Sequence, residues 1–355
     1  MLYTGERNYG CRFLEVSLFG LRTIILENEK IRLMFLLDQG TNMVEFNHKE
    51  TDTDFLWRTP LGLSCLRQDQ LAHGDHFNDT YTGGWFEAFP NVGMACTYRQ
   101  APLNSYAEVA HLPWEYAVVR DDPAEVSLHC RVRTVKTPFL VEKTFTVKAN
   151  QPTLFIEEQV TNLGREPMDF QWGHHPNFGR PFLDGHCLID LPGGDINVYV
   201  APETSRVRVG TTGAWPTLNG KDGQPLDLRL MPPPGAEVND LLWLTNLRGH
   251  WAAVRNLQRG VGFGLAWDPV VFKHCLLWIV ANGDTGYPRY GDTYVLCVLP
   301  KNTDVHNLDK AVAARQASVL EPGKSQRTWL TATAFAAGAA VTGIDRSGRV
   351  TTASA

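Results

Sequence analysis

Gln171-Trp172-Gly173-His174-His175-Pro176-Asn177-Phe178-Gly179-Arg180 is the densest polar run in the chain, and it follows a strand-like stretch ending at Phe170. An imidazole at a strand end can act as a general acid or base near neutral pH. Successive side chains on an extended segment point to opposite faces, so only one of His174 and His175 is expected to meet a ligand while the other is structural. The plain alternative is that both simply hydrogen-bond loop backbone. A second run, His73-Gly74-Asp75-His76, puts His and carboxylate close enough on a loop to share an ion with His174 or His175. Nothing fixes a fourth ligand, so no metal is expected.

The elements that must position these groups read as strands. Val126 to Val132 alternates apolar and polar residues; Phe139, Val141, Phe145 and Val147 share one face of the next segment, and Leu154, Ile156, Glu158 and Val160 one face of the one after. Ala149-Asn150-Gln151-Pro152 forms the turn between the last two. Connections this short allow only antiparallel pairing, because a parallel pair needs a crossover of a dozen residues or more. Further strands are predicted at 23–26, 31–37, 252–255, 262–267 and 275–281, and one short helix at 308–318. Residues 201–238, rich in Pro, Gly and Thr, read as an irregular excursion between strand groups, and 336–355 as a loosely held C-terminal tail behind a single β domain spanning 1–335. The fold class expected is all-β, a large antiparallel β-sandwich with very little helix.

Composition narrows the partners. The chain has 355 residues, a formal net charge of −5 and no run of five Lys/Arg, so it lacks the field that attracts a phosphate backbone, and nucleic acid is not expected. No apolar stretch is long enough to cross a bilayer and the first residues carry no secretory pattern, which predicts a cytoplasmic protein without a membrane partner. Seven cysteines occur singly, odd in number and without a C-x-x-C pair, which fits reduced core residues. There is no phosphate-cradling glycine loop, and no cofactor is expected. Ten Trp, ten Tyr and seventeen Phe suffice to line a cleft for a half-apolar ligand such as a sugar ring, although core packing alone accounts for most of them.

Three segments resemble the aldose 1-epimerase (galactose mutarotase-like) superfamily, in a less-characterised bacterial branch. His175 with Phe178 three residues on matches the segment that supplies the imidazole protonating the sugar ring oxygen. Tyr81-Thr82-Gly83-Gly84-Trp85-Phe86-Glu87-Ala88-Phe89-Pro90-Asn91-Val92-Gly93 is the most specific match, and Leu320-Glu321-Pro322-Gly323-Lys324-Ser325 resembles the turn before the family's closing strand. Together they run in family order from about Leu37 to Phe335. The resemblance implies a galactose mutarotase-like sandwich, a small-molecule carbohydrate as partner, and a chemistry in which a carboxylate takes the anomeric proton while an imidazole donates one to the ring oxygen.

This sequence departs from the pattern at two positions. Leu299, before Pro300, stands where the family's base is a Glu, and Tyr106 stands where a second His is usual. Leucine cannot accept a proton. The resemblance therefore implies an aldose 1-epimerase-like protein with His175 as the catalytic acid, acting on a free sugar or sugar derivative. The alternatives are a carbohydrate-binding protein without catalysis and a different sugar isomerase using another carboxylate. Glu87, Glu108 and Asp268 are candidate replacements or hydroxyl acceptors, Arg289 and His174 candidate donors, and Trp85, Trp172 and Trp267 candidate platforms for a sugar face.

Overall fold

The computed structural model describes residues 7–60, 62–63 and 77–353. Among them, strands gather into one fourteen-stranded and one eight-stranded sheet, with three two-stranded ribbons beside them. Every strand pairing within the two large sheets is antiparallel; a lone bridge from Val238 to Asn282 is parallel. The fold is a large antiparallel β-sandwich with hardly any helix.

The large sheet opens with Arg12–Leu18, Leu21–Glu27, Ile31–Leu36 and Asn42–His48, then passes through Trp85–Ala88, Gly173–Phe178, Tyr294–Lys301, His274–Ala281 and Val238–Thr245 to short outer strands. Its first hairpin is closed by Phe19 and Gly20, both at positive φ (51° and 78°), the geometry that a two-residue turn between right-twisted strands requires. The second sheet runs Cys187–Asp190, Trp251–Asn256, Val261–Trp267, Ser325–Ala336, Thr153–Asn162, Phe139–Lys148, Glu125–Arg133 and Glu115–Asp122. The predicted meander is present in it, with Val126 opposite Val147 and Phe145 opposite Ile156. Facing side chains of the two sheets interlock as aromatic pairs, Phe35 on Phe145 at 4.4 Å and Phe46 on Phe263 at 5.1 Å between ring centroids.

Three readings of the sequence change. The predicted helix 308–318 is shorter, Leu308–Ala313, because Arg315 turns to φ 56° and Ser318–Leu320 leaves to pair with Met168–Phe170. Residues 201–238 contain the short strands Thr212–Ala214, Thr217–Asn219 and Pro225–Asp227, which extend the edge of the large sheet. The segment after Phe335 is not a loose tail. Its small residues permit a hairpin, Val341–Ile344 with Val350–Thr352, and Val341 and Ile344 cover Trp251, Ala253 and Ala266 on the outer face of the second sheet. Asp190 accepts a hydrogen bond from Val341 N at 3.1 Å, and the Arg346 guanidinium lies over the Trp329 ring at 5.1 Å.

The cysteines at 11, 96, 130, 187, 275 and 297 are unpaired. Among the described residues no helix is long and apolar enough to cross a membrane.

Candidate functional site

The Gly173–Phe178 strand lies between Trp85–Ala88 and Tyr294–Lys301, with His174 opposite Glu87 and His175 opposite Phe86. Strand alternation therefore sends the two histidines to different places. Gly84, at φ 86°, lets the neighbouring strand enter, because a Cβ there would sit 2.4 Å from the Met43 carbonyl oxygen.

His174 points into the space between the sheets. The Trp85 indole N–H donates to its Nδ1 at 3.1 Å, so Nε2 carries the proton and donates to Glu158 Oε2 at 2.9 Å. Beside it, Glu87 accepts from Lys143 Nζ and from Trp172 Nε1, each at 2.6 Å, and Lys143 lies 4.2 Å from the centre of the Trp114 ring. Burial, followed by the charge of Glu87, raises the Glu158 carboxyl above its usual range, with His174 acting against both. Among the described residues, one Glu158 oxygen, Oε1, has no partner. Ligand atoms of Glu87, Glu158 and His174 come within 4.8 Å of one another. Both nitrogens of His174 are already engaged and the Lys143 ammonium already neutralises Glu87, so only Glu158 Oε1 of this donor set is left over, and one free atom does not suit an ion.

His175 points the other way, onto the outer face of the large sheet. Its ring stacks on Phe86 at 4.7 Å and 14°, meets the edge of Tyr106 at 5.3 Å, and faces Trp278 at 6.4 Å. Burial in this aromatic surround drives the imidazole pKa down to about 3, and the charges of Arg289 and Lys301 push it the same way. The ring is therefore neutral at physiological pH. Cys297 Sγ lies 3.1 Å from Nδ1, and burial holds that thiol well above its ordinary value. A protonated thiol donates to Nδ1 and leaves the N–H of His175 on Nε2.

Polar groups flank this aromatic cluster. The Arg289 guanidinium covers the Trp278 ring at 4.9 Å and donates to Asp284 Oδ2 at 2.8 Å. The Trp278 N–H donates to Asn239 Oδ1 at 3.0 Å, and Asn177, two residues beyond His175 on the same face, donates to the Tyr81 hydroxyl at 2.7 Å. The register that places Gly173 opposite Lys301 and Asn177 opposite Cys297 puts Leu299 across from His175, in the wall of the site.

Of the residues nominated from sequence as ligand contacts, only Arg289 is brought together with His175. Trp85, Glu87, Trp172 and His174 form the closed network between the sheets. Glu108 accepts from the backbone N–H groups of Val135, Lys136 and Thr137 and from the Thr137 hydroxyl, so it ties down the 134–137 turn. Trp267 is buried in the second sheet and donates to Phe272 O at 3.0 Å, and Asp268 closes the same strand by accepting from Val270 N at 2.8 Å. His73 and His76 lie outside the described residues.

Sequence reasoning missed Phe86, Trp278, Asp284 and Cys297 in the pocket and Lys143 and Glu158 in the network. For Phe86 a signal existed. Trp85 and Glu87 share a strand face, so the residue between them must take the face opposite theirs. Trp278 lies in the apolar run 275–281 and carries no such mark.

No functionally curated protein matches the chain. Among solved structures, a candidate aldose 1-epimerase from Klebsiella pneumoniae superposes with a TM-score of 0.72 at 15% identity, over 92% of this chain and 87% of that one. A galactose mutarotase-like protein from Clostridium acetobutylicum gives a TM-score of 0.64 at 14% identity, over 92% and 99%. A protein from Synechocystis sp. PCC 6803 gives a TM-score of 0.64 at 18% identity, over 91% and 99%. At these identities the likeness is one of fold. The family model described as "Domain of unknown function (DUF4432)" matches residues 19–217, more than half of the chain, and the chain belongs to that family.

Proposed function

We propose that the protein binds a carbohydrate on the outer face of the large sheet, in the pocket of His175, Phe86, Tyr106 and Trp278. The observation that carries this reading is the neutral His175 imidazole held in an aromatic surround beside the Arg289–Asp284 pair. Aromatic faces suit the apolar face of a sugar ring, while an imidazole N–H and a guanidinium–carboxylate pair suit its hydroxyls. The galactose mutarotase-like fold supports the same ligand class.

Binding is the primary role in this reading. A neutral imidazole can donate a hydrogen bond to a ring oxygen, but full proton transfer needs a base on the other side of the sugar, and Leu299 lines the pocket where the family resemblance calls for Glu. Calorimetry of the purified protein with hexoses, pentoses and their acids should show binding, weakened at least tenfold by Trp278→Ala or His175→Ala. A panel without a single binder would sink the proposal.

One observation supports a second reading, that of a sugar isomerase. Asp284 presents a carboxylate to the pocket rim through its bond with Arg289. If it replaces the missing Glu, NMR exchange of purified α-anomers is accelerated by the wild type and not by Asp284→Asn. Unchanged exchange in the wild type removes this reading and leaves the binding role intact.

A further inference from the structure

A cavity of about 420 Å³ opens beside the His175 pocket, lined by Asp54, Trp57, Arg58, Arg180, Asn282 and Asp292 among others. Its size falls in the ordinary range for small-molecule sites. Trp57 stands between the cavity and the His175 surround. It lines the cavity and meets Tyr81 edge-on at 5.9 Å, and the Tyr81 hydroxyl accepts from Asn177 on the His175 strand. The turn from Ala281 to Tyr294 walls both spaces, since Asp284 and Arg289 face the His175 pocket while Asn282 and Asp292 line the cavity. Gly179 lets the chain leave the strand against Trp57, where a Cβ would lie 2.6 Å from the Trp57 Cα.

The charges of the lining balance. Arg58 is paired with Asp54 at 3.0 Å. Arg180 rests its guanidinium 5.2 Å from the centre of the Tyr294 ring, and among the described residues neither Arg180 nor Asp292 has an ion-pair partner. Two cations and two anions around one space do not select a phosphate or a metal ion. They offer planar donors and acceptors, next to an indole, to a neutral ligand rich in hydroxyls.

We infer that this cavity is a second carbohydrate subsite continuous with the His175 pocket, so that the preferred ligand is a disaccharide or longer glycoside spanning both. The inference rests on the carbohydrate reading of the His175 pocket. From His175 to Arg180 the chain advances five residues, so at ~3.3 Å per residue the two lie no more than about 17 Å apart, within reach of a ligand of two or three rings.

Calorimetry of the full chain with glucose and galactose, and with maltose, cellobiose and lactose, tests this. At least one disaccharide should bind ten or more times tighter than its component monosaccharides. The double variant Arg180→Ala/Asp292→Ala, at two exposed positions and checked for an unchanged melting temperature, should lose that gain while its monosaccharide affinities stay within twofold. Disaccharides binding no tighter than monosaccharides, or a gain that survives the double variant, would overturn the second subsite and leave the His175 pocket standing. Absence of binding by every sugar of both sizes would overturn both.

Discussion

At the residue scale the two adjacent histidines behave as different chemical groups. His174 is held by a donor on one nitrogen and a carboxylate on the other, whereas His175 is neutral because its surround cannot solvate a charge. The sign of the pH dependence follows. The folded pKa of about 3 lies below the unfolded value near 6.5, so protonation favours the unfolded chain. The contribution of His175 to stability is intact above about pH 6.5 and is lost as pH falls toward 3. At about 1.4 kcal/mol per pH unit, His175→Gln should spare the protein on the order of 2 kcal/mol of its stability loss between pH 7 and pH 5. Denaturant unfolding at the two pH values measures it, and identical losses in wild type and variant would show that His175 is solvated. Leu299 and Tyr106 were legible as departures in the sequence. That Cys297 sits against the imidazole was not, because it arises from a strand 122 residues away in the chain.

At the scale of elements, charged side chains do structural work between and beside the sheets. Glu87 on Trp85–Ala88 and Lys143 on Phe139–Lys148 join the two sheets through a fully buried ion pair. Breaking such a pair leaves a buried charge uncompensated, so Lys143→Met should cost about 3–5 kcal/mol, while Glu87→Gln/Lys143→Met should recover most of it. Urea unfolding of the three proteins decides, and a double variant as unstable as the single one would contradict the account. Glu108 holds the 134–137 turn through three backbone N–H groups and a hydroxyl. Glu108→Gln should lower stability by about 1–3 kcal/mol and leave sugar affinity unchanged, since the residue serves the turn and not the pocket. Calorimetry paired with thermal melting checks both halves. A carboxylate that orients a polyol and one that caps a turn are the same letter in a sequence; only the donors around it separate them.

At the scale of the whole molecule, the sandwich is closed on its second sheet by the C-terminal hairpin. Val341 and Ile344 are buried there against Trp251, Ala253 and Ala266. Removing residues 337–355 should cost about 3 kcal/mol from the burial of those two side chains, and lower the melting temperature by several degrees. A truncated chain that melts with the intact one would show that the segment contributes nothing. The large sheet, by contrast, carries on its outer face the aromatic and charged groups of the segments 77–81, 105–111 and 284–291.

The sequence alone determined the architecture, because alternation with a period of two and short turns leave antiparallel sheets as the only way to bury one face of each strand. It also determined that the two histidines would lie on opposite faces of the strand, since neighbours on a strand cannot share a face. Which residues surround each histidine was decided by the tertiary structure. Trp85, Glu87, Trp172 and His174 lie beside the candidate pocket in sequence and on the far side of the sheet in space. Trp278, Asp284 and Cys297 reach His175 only through strand order, which sets late strands of the chain beside earlier ones and is not encoded in any local pattern.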